Sequence, residues 1–180
     1  MEDQQTLMLD EPKAKENNDA LTHIEGSSPD CALKRPTDYE DYVVRDAAEK
    51  LAQQCQQWDM QTSAEEWIED LVKARYEWTD GYALAKELDD RCHVSPDSEL
   101  VDILDRAPSY LSDAHRKAVK RWVRIVGFTP GYAIGETVGT RHGNGKITKI
   151  YVETAQYVVD TKGVGNGGYI INAEDIKPAS

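Results

Sequence analysis

The groups in this 180-residue chain able to hold a metal, attack an electrophile or move a proton are four histidines, three cysteines and 33 carboxylates. The histidines, His23, His93, His115 and His142, lie on separate segments. Cys92 and His93 are adjacent, but neighbours on a helix point about 100° apart and do not chelate one ion together. No second Cys/His pair completes a zinc set. No G-x-S-x-G or H-E-x-x-H pattern occurs. The glycine-rich GVGNGG at 163–168 is followed by neither lysine-serine nor lysine-threonine and opens no helix, so it reads as a strand connection and not as a phosphate cradle. The expectation is a chain without catalytic, metal or cofactor sites.

Carboxylates are dense in EEWIED, where Glu65, Glu66, Glu69 and Asp70 share a helical arc of about 140° opposite Trp67, Ile68 and Leu71. A hydrolytic pair needs burial to raise one pKa, and these face away from the apolar stripe. They read either as a solvated face or as a protein-binding surface. In the second case Glu77, Asp80, Glu87, Asp89, Asp90, Asp97, Glu99, Asp102 and Asp105 would extend it toward the lysines and arginines of a partner.

Two basic clusters oppose this. HRKAVKRWVR places Arg116, Lys117, Lys120, Arg121 and Arg124 on about 140° of a helix, with Leu111, Ala118, Val119, Trp122, Val123, Ile125 and Val126 on most of the remainder. That face either meets phosphates or an acidic protein, or pairs with the 18 acids that stand against 12 bases between residues 41 and 126. The second cluster, RHGNGKITKI, carries Arg141, His142, Lys146 and Lys149, in a segment (127–180) where five bases balance five acids. Tyr151 is the nearby aromatic able to stack a base, so this cluster reads as a rim contact to nucleic acid or protein, or as plain solvated rim. A net charge of -12 argues against bulk DNA binding and suits docking on a basic partner.

The elements that must position these residues are helical first. Thr37 with Glu40 is a capping box opening a helix to Trp58, with Tyr39, Val43, Ala47, Leu51, Cys55 and Trp58 in one stripe. Ser63 with Glu66 opens a second helix, SAEEWIEDLVKARYEW. Thr79 caps a third, to about His93, with Tyr82, Leu84, Ala85 and Leu88 available for burial. Ser95-Pro96 opens a short fourth, stopped by Pro108, and Ser112 caps a fifth that Gly127 ends.

From Gly127 onward lie ten of the 12 glycines, and ETVGT, GKITKIYVE, AQYVVDTK, GYIIN and EDIKP read as strands. Asn144-Gly145 is the expected hairpin turn. Ile147 and Ile150 are three apart, so a bulge near Thr148-Lys149 is needed for both to face inward. Strands this short predict a closed or half-closed barrel. Gly135, Val138, the HGNGKI segment with Gly143, Gly145 and Ile147, then Tyr157, Val159 and Glu174-Asp175-Ile176 resemble an SH3-like barrel of the KOW type, over under a third of the chain. The helical part, from DGYALAKELDD through KAVKRWV, shows a faint similarity to uncharacterised accessory proteins of bacteriophages and mobile elements. Neither resemblance brings catalytic residues.

The predicted fold class is α+β: a disordered acidic tail over 1–35, an α-helical bundle over 36–126 and a small C-terminal SH3-like β-barrel over 127–180. Residues before position 41 carry 10 acids and 4 bases with little apolar patterning. No run of 18 apolar residues and no basic-then-apolar leader is present, and the wide, odd cysteine spacing suggests free thiols. These features predict the cytoplasm, here of a bacterial host, with no membrane contact. The resemblance to phage accessory proteins gives the expected function its form. That function is a non-catalytic protein-binding module, an anti-CRISPR-like or anti-restriction-like inhibitor of a host nucleic-acid-handling defence complex. Its acidic helices and barrel would contact a host protein or ribonucleoprotein. The alternative is a nucleic-acid-binding regulator using the basic helix 116–124 and the barrel rim.

Overall fold

A computed structural model describes residues 34–161 and 168–179. His23, Cys31, nearly all of the acidic tail and most of GVGNGG lie outside the described residues. Arg35–Ser180 form one compact unit that holds both the helices and the sheet.

Among the described residues five α-helices precede the sheet: α1 (Asp41–Trp58), α2 (Ala64–Lys73), α3 (Gly81–Cys92), α4 (Ser98–Leu104) and α5 (Ala107–Val126). α1 is the central element, packing on α2, α4 and α5, while α3 packs on α4. Val43, Val44, Ala47, Ala48, Leu51, Ala52 and Cys55 line its inner face. They meet Trp67, Leu71, Leu84, Leu88, Leu100 and Leu104, all buried. Each leucine so buried contributes on the order of 1.5–3 kcal/mol.

The helix starts show which capping signals win. Ser63 forms the full capping box: its hydroxyl accepts from Glu66 N–H and Glu66 accepts from Ser63 N–H. The expected box at Thr37 is only half made. Glu40 accepts from Thr37 N–H at 3.1 Å, but residues 38–39 form a turn and α1 begins after Glu40, whose own carbonyl accepts from Val43 and Val44. Tyr39 thereby leaves the stripe and is half exposed. α3 and α4 are capped by Asp80 and Asp97, not Thr79 and Ser95; each carboxylate accepts the backbone N–H three residues on. Aspartate is as strong an N-cap as serine, and in both cases it stands next to the first helical residue. Pro108 does not stop a helix. It falls in the first turn of α5, where its missing N–H has no partner to lose, so α5 starts at Ala107 and Ser112 is interior. Gly127, at φ +64°, ends α5 as expected.

The sheet is antiparallel: β1 (Thr137–Thr140), β2 (Gly143–Tyr151), β3 (Gln156–Thr161), β4 (Tyr169–Asn172) and β5 (Lys177–Pro178), in the order β4-β3-β2-β1-β5. It is not closed into a barrel, because β4 and β5 end the sheet without pairing. β5 is two residues long and one is proline, which offers no ladder donor. Val138, Ile147, Tyr157, Val159, Ile171 and Ile176 form its core.

The hairpin turn is at Arg141–His142, not Asn144-Gly145. Thr140 pairs with Gly143, Gly139 with Asn144 and Val138 with Gly145, which places the dipeptide within β2. Thr140 Oγ1 accepts from His142 N–H and donates to the Gly143 carbonyl, and Gly143 carries the positive φ, +102°. Gly145 is needed for closeness: a Cβ there would sit 2.6 Å from the Asp160 carbonyl and 2.7 Å from Val159 Cγ1. The expected bulge is present, a register shift between Ile147 and Lys149. It buries Ile147 and packs Ile150 on the same core.

Gly145→Ala should therefore cost about 1–3 kcal/mol by overpacking β2 against β3. Urea denaturation reads this directly, and an unchanged midpoint would refute the close-approach role.

Candidate functional site

The sequence marked charged surfaces, and the structure shows how far each is already occupied. On α2, all four acids have partners within the chain. Glu65 and Glu69 reach Arg45 at 3.7 and 2.7 Å, Asp70 accepts from Lys73 at 2.8 Å, and Glu66 is engaged in the Ser63 cap. The cap's hydrogen bonds hold the Glu66 carboxyl below its ordinary range. Asp89 and Asp90 on α3 and Glu99 and Asp102 on α4 are exposed and form no ion pair among the described residues.

The basic face of α5 is largely engaged. Arg116 pairs with Asp113, Lys117 lies 3.6 Å from Asp46, and Lys120 lies 2.5 Å from Glu153. Arg121 faces Tyr42, whose hydroxyl is pushed up to about 12 by burial and by the Glu40 charge and hydrogen bond, against the pull of Arg121. Lys120 and Arg124 border a cavity of about 330 Å³ floored by Val123, Phe128 and Val152. The Lys120 hydrogen bond and charge, with Arg124 behind, lower the Glu153 pKa.

The sheet rim gathers bases with aromatic rings. His142 stacks flat on Tyr169, 4.0 Å between centroids, and accepts a hydrogen bond from Arg141 at 3.0 Å. Lys149 lies over the Tyr151 ring at 4.6 Å. Lys146 is exposed and pairs in register with Asp160. Arg141 thus lies in the turn between β1 and β2, and Lys146 and Lys149 lie along β2, a central strand, whereas the α5 bases lie on a separate element.

Among the described residues no group of three or more His, Cys, Asp or Glu could hold a metal. His93 ends α3 in the left-handed region at φ 58°, and His115 Nε2 lies 3.0 Å from the Pro36 carbonyl. Cys55 is buried and its thiol is pushed up to about 12 by that burial.

Two features had no sequence signal. One is a set of exposed tyrosines: Tyr39, half exposed, pairs its ring with Tyr76 at 5.9 Å, and Tyr42 and Tyr82 are more than half exposed, Tyr82 against the expectation of burial. The other is Arg35, in the loop before α1. Its guanidinium meets both Glu174 carboxylate oxygens, at 2.5 and 3.1 Å, and donates to the Thr154 and Ala155 carbonyls, both at 2.9 Å. It also lies 4.9 Å from the centre of the Trp122 ring. Only 13% of its side chain is exposed.

Comparison of the chain with protein-family models, curated proteins and solved structures gives no match. Among the described residues no helix is long and apolar enough to cross a membrane.

The Arg35–Glu174 pair has a pH signature. Burial pushes the Glu174 pKa up, but the hydrogen bond and charge of Arg35 outweigh it, leaving the carboxyl below its ordinary 4.5. A depressed carboxylate contributes stability that is complete above its unfolded-state pKa and is lost as pH falls through the folded value. The difference in melting temperature between the wild type and Glu174→Gln should be full near neutral pH and shrink below 4.5. A gap independent of pH would remove the ion pair from the account.

Proposed function

We propose that this protein is a non-catalytic binding module that docks on a basic surface of a partner protein. The observation that carries this is the asymmetry of its available charge. Three bases of α5 are paired within the chain, while Asp89, Asp90, Glu99 and Asp102 stand exposed without ion pairs among the described residues. The field offered by α3 and α4 is therefore negative, in line with the net charge of -12. Exposed tyrosines beside carboxylates, Tyr39 and Tyr42 near Glu40 and Tyr76 next to Glu77, supply what charge alone lacks. Tyrosine is enriched at interface cores because it buries much area with little loss of freedom.

In its concrete form the proposal is an inhibitor carried by a phage or mobile element and working in the bacterial cytoplasm. It covers residues that a host defence complex uses for nucleic acid. The five-stranded sheet, in this reading a half-open SH3-like barrel, adds a second contact. Support comes from the faint similarity of the helical part to phage accessory proteins and from the spacing pattern of the strands. α2 moves to a secondary role, since Glu65, Glu66, Glu69 and Asp70 are already engaged.

A second reading, nucleic-acid binding at the rim, is favoured by the His142–Tyr169 stack beside Arg141 and by Lys149 over Tyr151. It predicts single-strand binding that weakens with salt and is lost in Arg141→Glu/Lys149→Glu.

Affinity capture from bacterial lysate, with and without nuclease, separates the two readings. Protein docking predicts a basic nucleic-acid-handling partner that survives nuclease and is lost when Asp89, Asp90, Glu99 and Asp102 are all replaced by lysine. Capture that vanishes with nuclease, or that ignores those four replacements, would overturn it.

A further inference from the structure

We propose that Trp122, Thr154, Ala155 and Glu174 form a binding site for an arginine side chain, filled in this structure by Arg35 of the same chain and open to an arginine of a partner when Arg35 is withdrawn. The site is complete as a guanidinium receptor. Both oxygens of Glu174 take the side-on fork, at 2.5 and 3.1 Å, and two carbonyls take one further donor each at 2.9 Å, so four of the five N–H groups are bonded. The Trp122 ring supplies a flat face 4.9 Å from the guanidinium carbon. A planar group with five fixed donors fits this set, whereas an ammonium, a point charge with three donors, does not.

The receptor is built without help from its occupant. The hydrogen-bonding groups lie between 119 and 139 positions from Arg35 along the chain. Trp122 is set by α5. Ala155 is fully buried in the left-handed region at φ 47°; its N–H donates to Val152 and its carbonyl also accepts from Ala173. Glu174 lies in the short 3-10 turn Ala173–Asp175, anchored through Ala173. Arg35, by contrast, sits in a stretch, 34–40, with neither helix nor strand. This stretch is tied otherwise by His115 to the Pro36 carbonyl, by burial of Pro36, by the Tyr39–Tyr76 ring contact and by Glu40 at the start of α1. Withdrawing the Arg35 side chain breaks no hydrogen bond inside a helix or strand, but it takes the donors from a half-exposed carboxylate and the Thr154 carbonyl and leaves Ala155 only its bond from Ala173. The occupant that restores them is another guanidinium.

The identity of the second arginine, that of a basic protein, rests on the proposed docking function; the chemistry of the site does not. An arginine attached in cis acts at an effective concentration on the order of millimolar, so Arg35 competes with a partner and sets a threshold for docking.

The test uses the full chain with Arg35→Ala, and methylguanidinium as the probe against methylammonium at equal ionic strength. Methylguanidinium should raise the melting temperature of Arg35→Ala saturably at millimolar concentration and leave the wild type unchanged, while methylammonium does neither. If Arg35→Ala does not fold, Arg35→Lys is titrated in the same way. An arginine-rich peptide should bind the variant about tenfold more tightly than the wild type and lose that gain in Arg35→Ala/Glu174→Gln. Equal effects of the two ions, or equal peptide affinity for variant and wild type, would overturn the proposal. No partner from a cell is needed, so its failure is distinct from a failed capture.

Discussion

The fold depends on one small joint. The helices bury their own core and the sheet buries another, and the two meet where Val119 and Val123 of α5 close over Ala155, flanked by Trp122, Phe128 and Ala173. Apolar area there is modest, and burial energy scales with area. Directional bonds supplement it. Arg35 binds the turn between β2 and β3 to the turn before β5 while covering Trp122 of α5, and Lys120 pairs with Glu153 across the same line. Without these, the apolar joint and the residues from Gly127 to Glu136 alone would link the helices to the sheet.

Charge is organised by the same logic. The α5 bases looked available in sequence because a helical wheel shows only which residues share a face. In space that face meets Asp46 of α1 and Glu153 of the β2–β3 turn. Acids of α2 are engaged likewise by Arg45. Pairing of this exposed kind contributes little to stability, but it decides which charges remain for a partner. Among those left are Asp89, Asp90, Glu99 and Asp102 of α3 and α4 and the bases Arg141, Lys146 and Lys149 of the sheet, which form no ion pair among the described residues.

Much of the fold was legible because its signals are local. Short apolar runs between turn residues marked the strands, though EDIKP is mostly a 3-10 turn with only Lys177–Pro178 in the sheet; the Ile147–Ile150 phase break marked the bulge, and Ser63 with Glu66 marked α2. The misplacements have physical causes. Asn144-Gly145 has strong turn chemistry, but Gly145 is required by a neighbour strand that no local window contains. Pro108 is a helix breaker in the interior and harmless in the first turn, so the start of α5 hinged on two residues. The surfaces were less legible than the elements. Arg35 and its hydrogen-bonding partners are more than a hundred positions apart, and the Tyr39–Tyr76 pair joins residues before α1 and after α2.

The sheet's two margins are unlike. β5 is two residues long and includes Pro178, so its outer side presents almost no ladder for another strand. β4 is longer, and Ile170 on it is 62% exposed. A ribbon with one blunt margin and one receptive margin cannot propagate. If an extended segment adds along β4, growth ends with that addition, and if two copies meet there, the product is a closed pair.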